Sequence, residues 1–468
     1  MQPIRTAMCR PASIIGVLIW LGLALLSPST SQGSPPETPT FNRDVAPILY
    51  ANCVGCHRPG EVAPMSLLTF TDARPWARAI KGKVIAREMP PWYADRRFGD
   101  FSNRPHLTPA EIDAIAEWTD AGAPEGDSAP PAAPIFLDGW SSQMGRPPDQ
   151  VIDAPSEVEV PAEGTVPTLT LWLRLPFKYD TFVEAVELRP TNRQVVHHAS
   201  VSLGILPPLT KLGRASLWPG GPVLNGVRLA GDGQPYITRS SAEFGYPMLF
   251  YVPGGGFLKL PHGTAKRIRP GENLSWGMHL VTTGKPERVR MRLGLWFAKK
   301  MVAHEVMMMT ANIRKIVDGK EIATDVRGNA VIPNIPPGAD NWSITGLITF
   351  PNAVTLYALW PHMHFRGKDM TFILTYPNGR EETLLSVPKY NFNWQITYEL
   401  TKPLKIPARS SIRAVAHYDN SAKNRNNPDP TREVLWGEQS WNEMFNPFLE
   451  VSVDKDDLRF ERLRERIQ

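Results

Sequence analysis

The apolar positions of this chain repeat with two different periods, and the change falls near residue 150. From about 41 to 127 the spacing is helical, with Trp76, Ile80 and Val84 recurring four residues apart as one stripe of a helix. Asn42 is placed to cap a first helix running toward Cys53, and Thr71 to cap a second. Thr108-Pro109-Ala110-Glu111 reads as a capping box with proline in the first turn, and Gly122 ends that third helix. Beyond the change the period becomes two. Leu169, Leu171, Leu173 and Leu175 alternate with Thr170, Trp172 and Arg174, and Val289, Met291, Leu293 and Leu295 alternate with Arg290, Arg292 and Gly294. Both stretches predict half-buried antiparallel strands. Turn sequences such as Gly254-Gly255-Gly256 and Pro377-Asn378-Gly379 recur, so residues 151–455 predict sandwich or barrel material. That is long for one sandwich, and it divides near residue 305.

Composition supports this division. The 47 prolines among 468 residues suit turns and sheet edges and oppose long helical bundles. Fourteen tryptophans and 42% hydrophobic residues supply cores and exclude wholesale disorder. Basic and acidic residues nearly balance at 51 to 46 with no Lys/Arg block, so no nucleic-acid partner is expected. Arg5 and Arg10 precede an apolar run from Ile14 to Leu26, and Ser27-Pro28 then leads through small residues to Gly33. Residues 1–33 therefore predict a secretory signal peptide, with a run too short to span a bilayer comfortably. No membrane association beyond that signal is expected. The organisation read from the sequence is a helical unit at 41–127, a Pro-rich linker at 128–150, β units at 151–304 and 305–455, and a charged tail at 456–468.

Of three cysteines, Cys9 leaves with the signal and only Cys53 and Cys56 remain. They stand in Cys53-Val54-Gly55-Cys56-His57, the Cys-x-x-Cys-His pattern of covalent c-type haem attachment. Two thioethers hold the porphyrin, and His57 becomes an axial ligand. A redox dithiol does not require that histidine and belongs in a βαβ setting. The second axial ligand should be a thioether or imidazole. Met89, in the proline-stiffened Arg87-Glu88-Met89-Pro90-Pro91-Trp92, is the favoured candidate, with Met65 the competitor and His106 behind it. The segment resembles small single-haem class I cytochromes c, an all-α fold. A c-type haem behind a signal peptide points to the bacterial periplasm, or to secretion.

Five histidines in the β region sit in compact settings: His197-His198, then His279, then His362-Met363-His364. Residues i and i+2 share one face of a strand, so His362 and His364 converge on one ion. Neighbouring strand residues point to opposite faces, so joint ligation by His197 and His198 needs a bulge or a strand end. Taken singly, His197 and His198 divide between core and surface, and His279 reads as structural. The order of the motifs changes that reading. His198 to His279, His279 to His362, and His364 to Met444 are 81, 83 and 80 residues apart, the last motif being Trp441-Asn442-Glu443-Met444-Phe445-Asn446.

Over roughly 160–455 this arrangement resembles the copper type II, ascorbate-dependent monooxygenases, the family of peptidylglycine α-hydroxylating and dopamine β-monooxygenases. The resemblance implies two consecutive jelly-roll sandwiches with one copper each. His197, His198 and His279 would hold the electron-supplying copper. His362, His364 and the Met444 thioether would hold the oxygen-binding one, across a cleft, where a C–H bond of a small-molecule substrate meets O2. The fused haem, or a periplasmic electron donor acting through it, would replace or supplement ascorbate. The chain also departs from the family. It has no cysteines for the family's disulfides, Trp360 stands where relatives acting on peptidylglycine have a basic residue, and Phe448 stands where they have a tyrosine. Those losses point away from a peptide carboxylate and toward an apolar or aromatic substrate. His417 is expected to be a satisfied structural histidine, with an auxiliary ligand as the alternative. Two other readings stand beside the enzyme: a haem/copper electron carrier without oxygenase activity, and a non-redox jelly-roll binding module.

Overall fold

A computed structural model describes residues 37–454, apart from 62, 137–139, 141–143, 205–222, 225–226, 229–245, 254, 323–330 and 438. The signal peptide and the charged tail expected at the two ends lie outside the described residues, as does Gly254. The chain is mostly strand, with a few short helices gathered before residue 121. From Pro39 on, the described residues form one compact unit containing three large hydrophobic cores. No helix among the described residues is long and apolar enough to cross a membrane.

The helical part begins with one π-helical turn, Phe41–Val45, running into the helix Ala46–Asn52. Asn42 is not its cap. It lies inside the turn, buried, and its side-chain amide donates to the carbonyls of Gly126 and Ser128, tying the two ends of the segment together. Thr71 is not a cap either. Thr69 has the extended backbone a cap requires, and its hydroxyl accepts the Asp72 N–H at 3.1 Å, leaving Thr71 within the turn. Ile80 and Val84 are buried by the helix Ala77–Ile85, while Trp76, in the 3-10 turn ahead of it, is exposed. The third helix, Pro109–Asp120, forms as its sequence predicts. Glu111 N–H donates to Thr108 Oγ1 at 3.2 Å, Thr108 N–H donates to the Glu111 carboxylate at 2.7 Å, and Gly122 follows at a φ of +88°.

The expected unit at 41–127 is interrupted. Trp92, Tyr93, Ala94 and Phe101 leave the helical core and join that of the last β region, where Trp92 and Phe101 pack on Tyr398 at ring-centroid distances of 5.0 and 5.6 Å. Backbone bonds fix the stretch: Asp95 N–H donates to Ser386 O and Ser102 N–H to Glu399 O, both at 2.8 Å. The physical reason is burial, because the small helical core offers these aromatics no comparable apolar surface. Two aromatic residues of the Pro-rich linker pack onto the units it joins. Phe136 lies on the helical core under the Arg58 guanidinium, and Trp140 lies against Trp296.

Each β region is a two-sheet sandwich. In the first, Gln150–Asp153, Met291–Phe297, Thr181–Pro190, Thr264–Ile268 and His304–Glu305 form one sheet, with Phe257–Lys259 added on Thr181–Pro190. Leu169–Arg174, Asn273–Leu280, Val196–Gly204 and Tyr246–Tyr251 form the other. In the second, Met307–Thr310, Asn446–Val453, Val354–His362 and Tyr398–Ile406 face a six-stranded sheet centred on Trp342–Thr349 and Ser411–Tyr418. Near residue 305 the pairing changes sheets: His304–Glu305 pairs with the first sandwich and Met307–Thr310 with the second. The alternating stretches are strands as predicted. One deviation is Trp172, buried although it falls on the outward phase.

The two four-stranded sheets meet where Phe250 stacks on Trp360, with ring centroids 3.4 Å apart. A buried ion pair, Lys266 Nζ to Glu450 at 2.8 Å, adds a second link between the sandwiches.

Candidate metal centre

His198 stands directly opposite His279 in the antiparallel pairing of Val196–Gly204 with Asn273–Leu280. The next paired residues are Val196 and Leu280, so His197 is the extra residue of a bulge. The bulge turns His197 toward its neighbour. The ring centroids of His197, His198 and His279 lie 5.0–5.2 Å apart, and one ligand nitrogen from each falls within 4.8 Å of the other two.

His362 ends the strand Val354–His362, and His364 follows two residues later. Their rings are 5.2 Å apart and perpendicular, while Met363 between them is buried in the sandwich core. The neighbouring strand brings Asn446 opposite His362. Residues 442–444 therefore run beside His364, whose Nδ1–H donates to Asn442 O at 3.2 Å. Asn446 Nδ2 donates to the Met444 sulfur at 3.4 Å. Glu443 is fully buried beneath this segment and accepts the backbone N–H groups of His364, Arg366 and Met444. Burial pushes its carboxyl up to about 8 despite those donors.

The two histidine sets do not stand apart across a cleft, as expected from the resemblance. His198 and His362 are in ring contact at 6.2 Å, so all five imidazoles form one cluster. Phe392 lies within it, stacked on His197 at 5.0 Å and touching His198, His279 and His364 at 5.7–6.1 Å. Burial pushes His279 down to about 3 and His362 to about 4, lowers His197, and holds His198 and His364 well below the usual imidazole value. All five are neutral at pH 7, the form that donates lone pairs to a metal.

Hydrogen bonds decide which nitrogens are free. Gln395 donates its amide N–H to Phe392 O, which aims its oxygen at His362 and makes His362 Nδ1 the donor. The Asn442 carbonyl does the same for His364. Both rings therefore keep an Nε2 lone pair. His197 donates Nε2–H to Asn393 Oδ1 at 3.0 Å, and its Nδ1 is buried with no hydrogen-bond partner. An orphaned buried imidazole nitrogen beside two more imidazoles is a donor set that fits a metal ion.

The loop Tyr390–Gln395 and the residues Gln439 and Ser440 complete the surroundings, and sequence reasoning missed them. Ser440 Oγ meets His279 Nε2 at 3.4 Å, and Thr168 N–H donates to Gln439, carrying the second sandwich's loop onto the first. These residues have neither periodicity nor spacing to mark them. His417 is the satisfied histidine expected, paired with Asp369 at 2.7 Å. Trp360, 5% exposed, is enclosed by Phe250, His362 and Phe448 and donates its indole N–H to Gln395 O.

In the helical part, Cys53 and Cys56 are free thiols near His57, which has a buried Nδ1 without a partner. Burial, with Cys56 and Glu111 adding, pushes the Cys53 thiol up to about 12. Met65, like Cys53, packs partly buried against the helical core, whereas Met89 is 41% exposed after the helix Ala77–Ile85.

No family model matches the chain, and no curated protein matches it. Among solved structures, PNGF-II is similar at 12% identity and a TM-score of 0.26, the chain covering 65% of itself and 65% of PNGF-II's length. The CBM22-1–CBM22-2 tandem domain of Paenibacillus barcinonensis Xyn10C is similar at 11% identity and a TM-score of 0.15, over 64% of this chain and 82% of that one. Likenesses this slight carry no argument about function.

Proposed function

We propose that this chain is an exported copper-dependent monooxygenase, hydroxylating a C–H bond of a small organic substrate with O2, with electrons supplied by or through a c-type haem. In this reading residues 41–127 are a mono-haem cytochrome c unit and the two sandwiches are jelly rolls. The observation that carries it is the gathering of five neutral imidazoles, three from one sandwich and two from the other, of which His279, His362 and His364 are buried, with a thioether-bearing segment along the pair. Imidazole suits copper and a thioether favours Cu(I), whereas zinc seldom takes methionine. Copper held there supplies one-electron storage at each set and reactivity toward O2.

The chain's own residues do the remaining work. His197, His198 and His279 form one ligand set, and His362, His364 and Met444 the other. Gln395 and the Asn442 carbonyl hold the ring orientations. Glu443 orders the backbone on both sides of the second set. Phe392 and Trp360 keep water from the imidazoles. At the helical unit Cys53 and Cys56 would carry the haem, His57 one axial position and Met89 the other, with Met65 as competitor. A thiol raised as far as Cys53 is ill-suited to be a redox dithiol, which needs a lowered value. Trp360 offers no charge for a substrate carboxylate, which supports an apolar or aromatic substrate.

The second reading, a haem/copper electron carrier, draws on the Phe250–Trp360–Phe448 stack that fills the space beside His362. Substrate-dependent O2 uptake separates the two. The monooxygenase reading expects uptake that His364→Ala abolishes. Copper-loaded protein that oxidises no member of an apolar and aromatic substrate panel supports the carrier instead.

A further inference from the structure

The loop that carries Cys53, Cys56 and His57 is tied to the first sandwich through the carboxylate of Glu61. Glu61, four residues past His57 and 6% exposed, accepts from the Arg58 guanidinium at 2.8 Å and pairs with Arg193. Arg193 stands in the turn that leads into Val196–Gly204, four residues before His197, a separation of at most about 14 Å along the chain. Tyr251, paired opposite Ala199 on the adjoining strand, is buried within electrostatic reach of Arg193, Glu61 and Cys56. The cysteine loop is therefore seated against the strand pair that begins the histidine cluster.

A second link runs from the same N-terminal part to His197 itself. Tyr93, in the stretch that leaves the helical core, accepts from the Asn391 amide at 2.7 Å. Asn391 Oδ1 accepts the Asn393 N–H at 2.9 Å, and Asn393 Oδ1 accepts from His197. Phe392, between those asparagines, stacks on His197. Among the five imidazoles, His197 is the one this hydrogen-bonded chain reaches, and it stands four residues after Arg193.

We propose that Glu61 and Arg193 form a clamp that positions the haem-attachment loop against the first sandwich, and that electrons from the haem enter the cluster at His197. This rests on the haem and copper reading above. That transfer would move one electron and no atoms: a haem held by Cys53, Cys56 and His57 would be the donor, oxidised by one electron, and copper held by His197, His198 and His279 would be the acceptor, reduced by one. Glu61 and Arg193 are positioning residues, since neither touches a reacting atom.

The test uses full-length protein carrying haem and copper. The haem is reduced anaerobically by a laser-triggered one-electron donor, and its reoxidation is followed by absorbance. Arg193→Gln should slow that reoxidation about tenfold or more, Arg193→Lys should restore most of the rate, and Glu61→Gln should behave like Arg193→Gln. Copper content and haem reduction potential should stay at wild-type values in all three, which a general loss of structure would not allow. Wild-type reoxidation in correctly loaded Arg193→Gln and Glu61→Gln overturns the clamp and leaves the copper reading standing. Wild-type protein that binds no copper, or whose reduced haem is never reoxidised by Cu(II), removes the underlying reading and the clamp with it.

Discussion

At the scale of single residues, the readiness of the cluster to bind a metal depends on its acceptors. His362 keeps its lone pair on Nε2 because its Nδ1–H donates to Gln395 Oε1, and the Gln395 amide N–H, donating to Phe392 O, fixes the amide in that sense. Gln395→Leu should therefore weaken metal binding at the His362 set by about 10–100-fold and leave the His197 set unchanged. Competition titration with a chelator checks this, and unchanged affinity at both sets counts against it. A thioether axial ligand raises a haem potential, so Met89→Ala should lower it in a redox titration and Met65→Ala should not. The reverse pattern would assign the ligand to Met65. Motif spacing made the histidines legible; the adjacency of His197 and His198 left a bulge or a strand end as the ways to joint ligation, and the strand has the bulge. Gln395, Phe392, Asn393 and Glu61 were not legible, because their roles come from residues more than a hundred positions away or from a loop with no period.

Among elements, period and capping chemistry carried most of the prediction. Thr108 and Glu111 satisfy each other within four residues, so sequence alone determines that helix start. Asn42 and Thr71 failed as caps because tertiary contacts or a better-placed neighbour, Thr69, took the role. The aromatics of the Trp92–Phe101 stretch could not be assigned from sequence, since nothing local shows which core will receive them. The lead-in to the first sandwich is held electrostatically. Burial alone would raise Asp149, yet Lys299, the Phe297 N–H and Arg146 together bring it down to about 2. A carboxyl lowered on folding stabilises fully above its unfolded value, near pH 4, and loses that contribution as the pH falls toward about 2. Asp149→Asn should cost about 1–2 kcal/mol at neutral pH and flatten the loss of stability between about pH 4 and 2. Denaturant unfolding across that range checks it, and an acid limb identical to wild type would contradict it.

For the whole molecule, the decisive feature is that two sandwiches are held so that His198 touches His362. Apolar stacking of Phe250 on Trp360 and the buried Lys266–Glu450 pair maintain that placement. Removing one partner strands a buried charge, so Lys266→Met should destabilise by about 3–5 kcal/mol, and Lys266→Met with Glu450→Met should recover most of the loss. Denaturant melts of the single and double variants test the pair, and a neutral single variant would contradict it. None of this long-range pairing was visible in the sequence, which predicted two β units but not how closely their histidines approach. The central claim is that this cluster holds copper beside a covalent haem. Its most direct test is the metal and haem content of the protein recovered from export. The account predicts one haem and close to two coppers per chain, with copper lost from the second set in His364→Ala. A chain that retains no copper, or whose copper content is indifferent to His364→Ala, contradicts it.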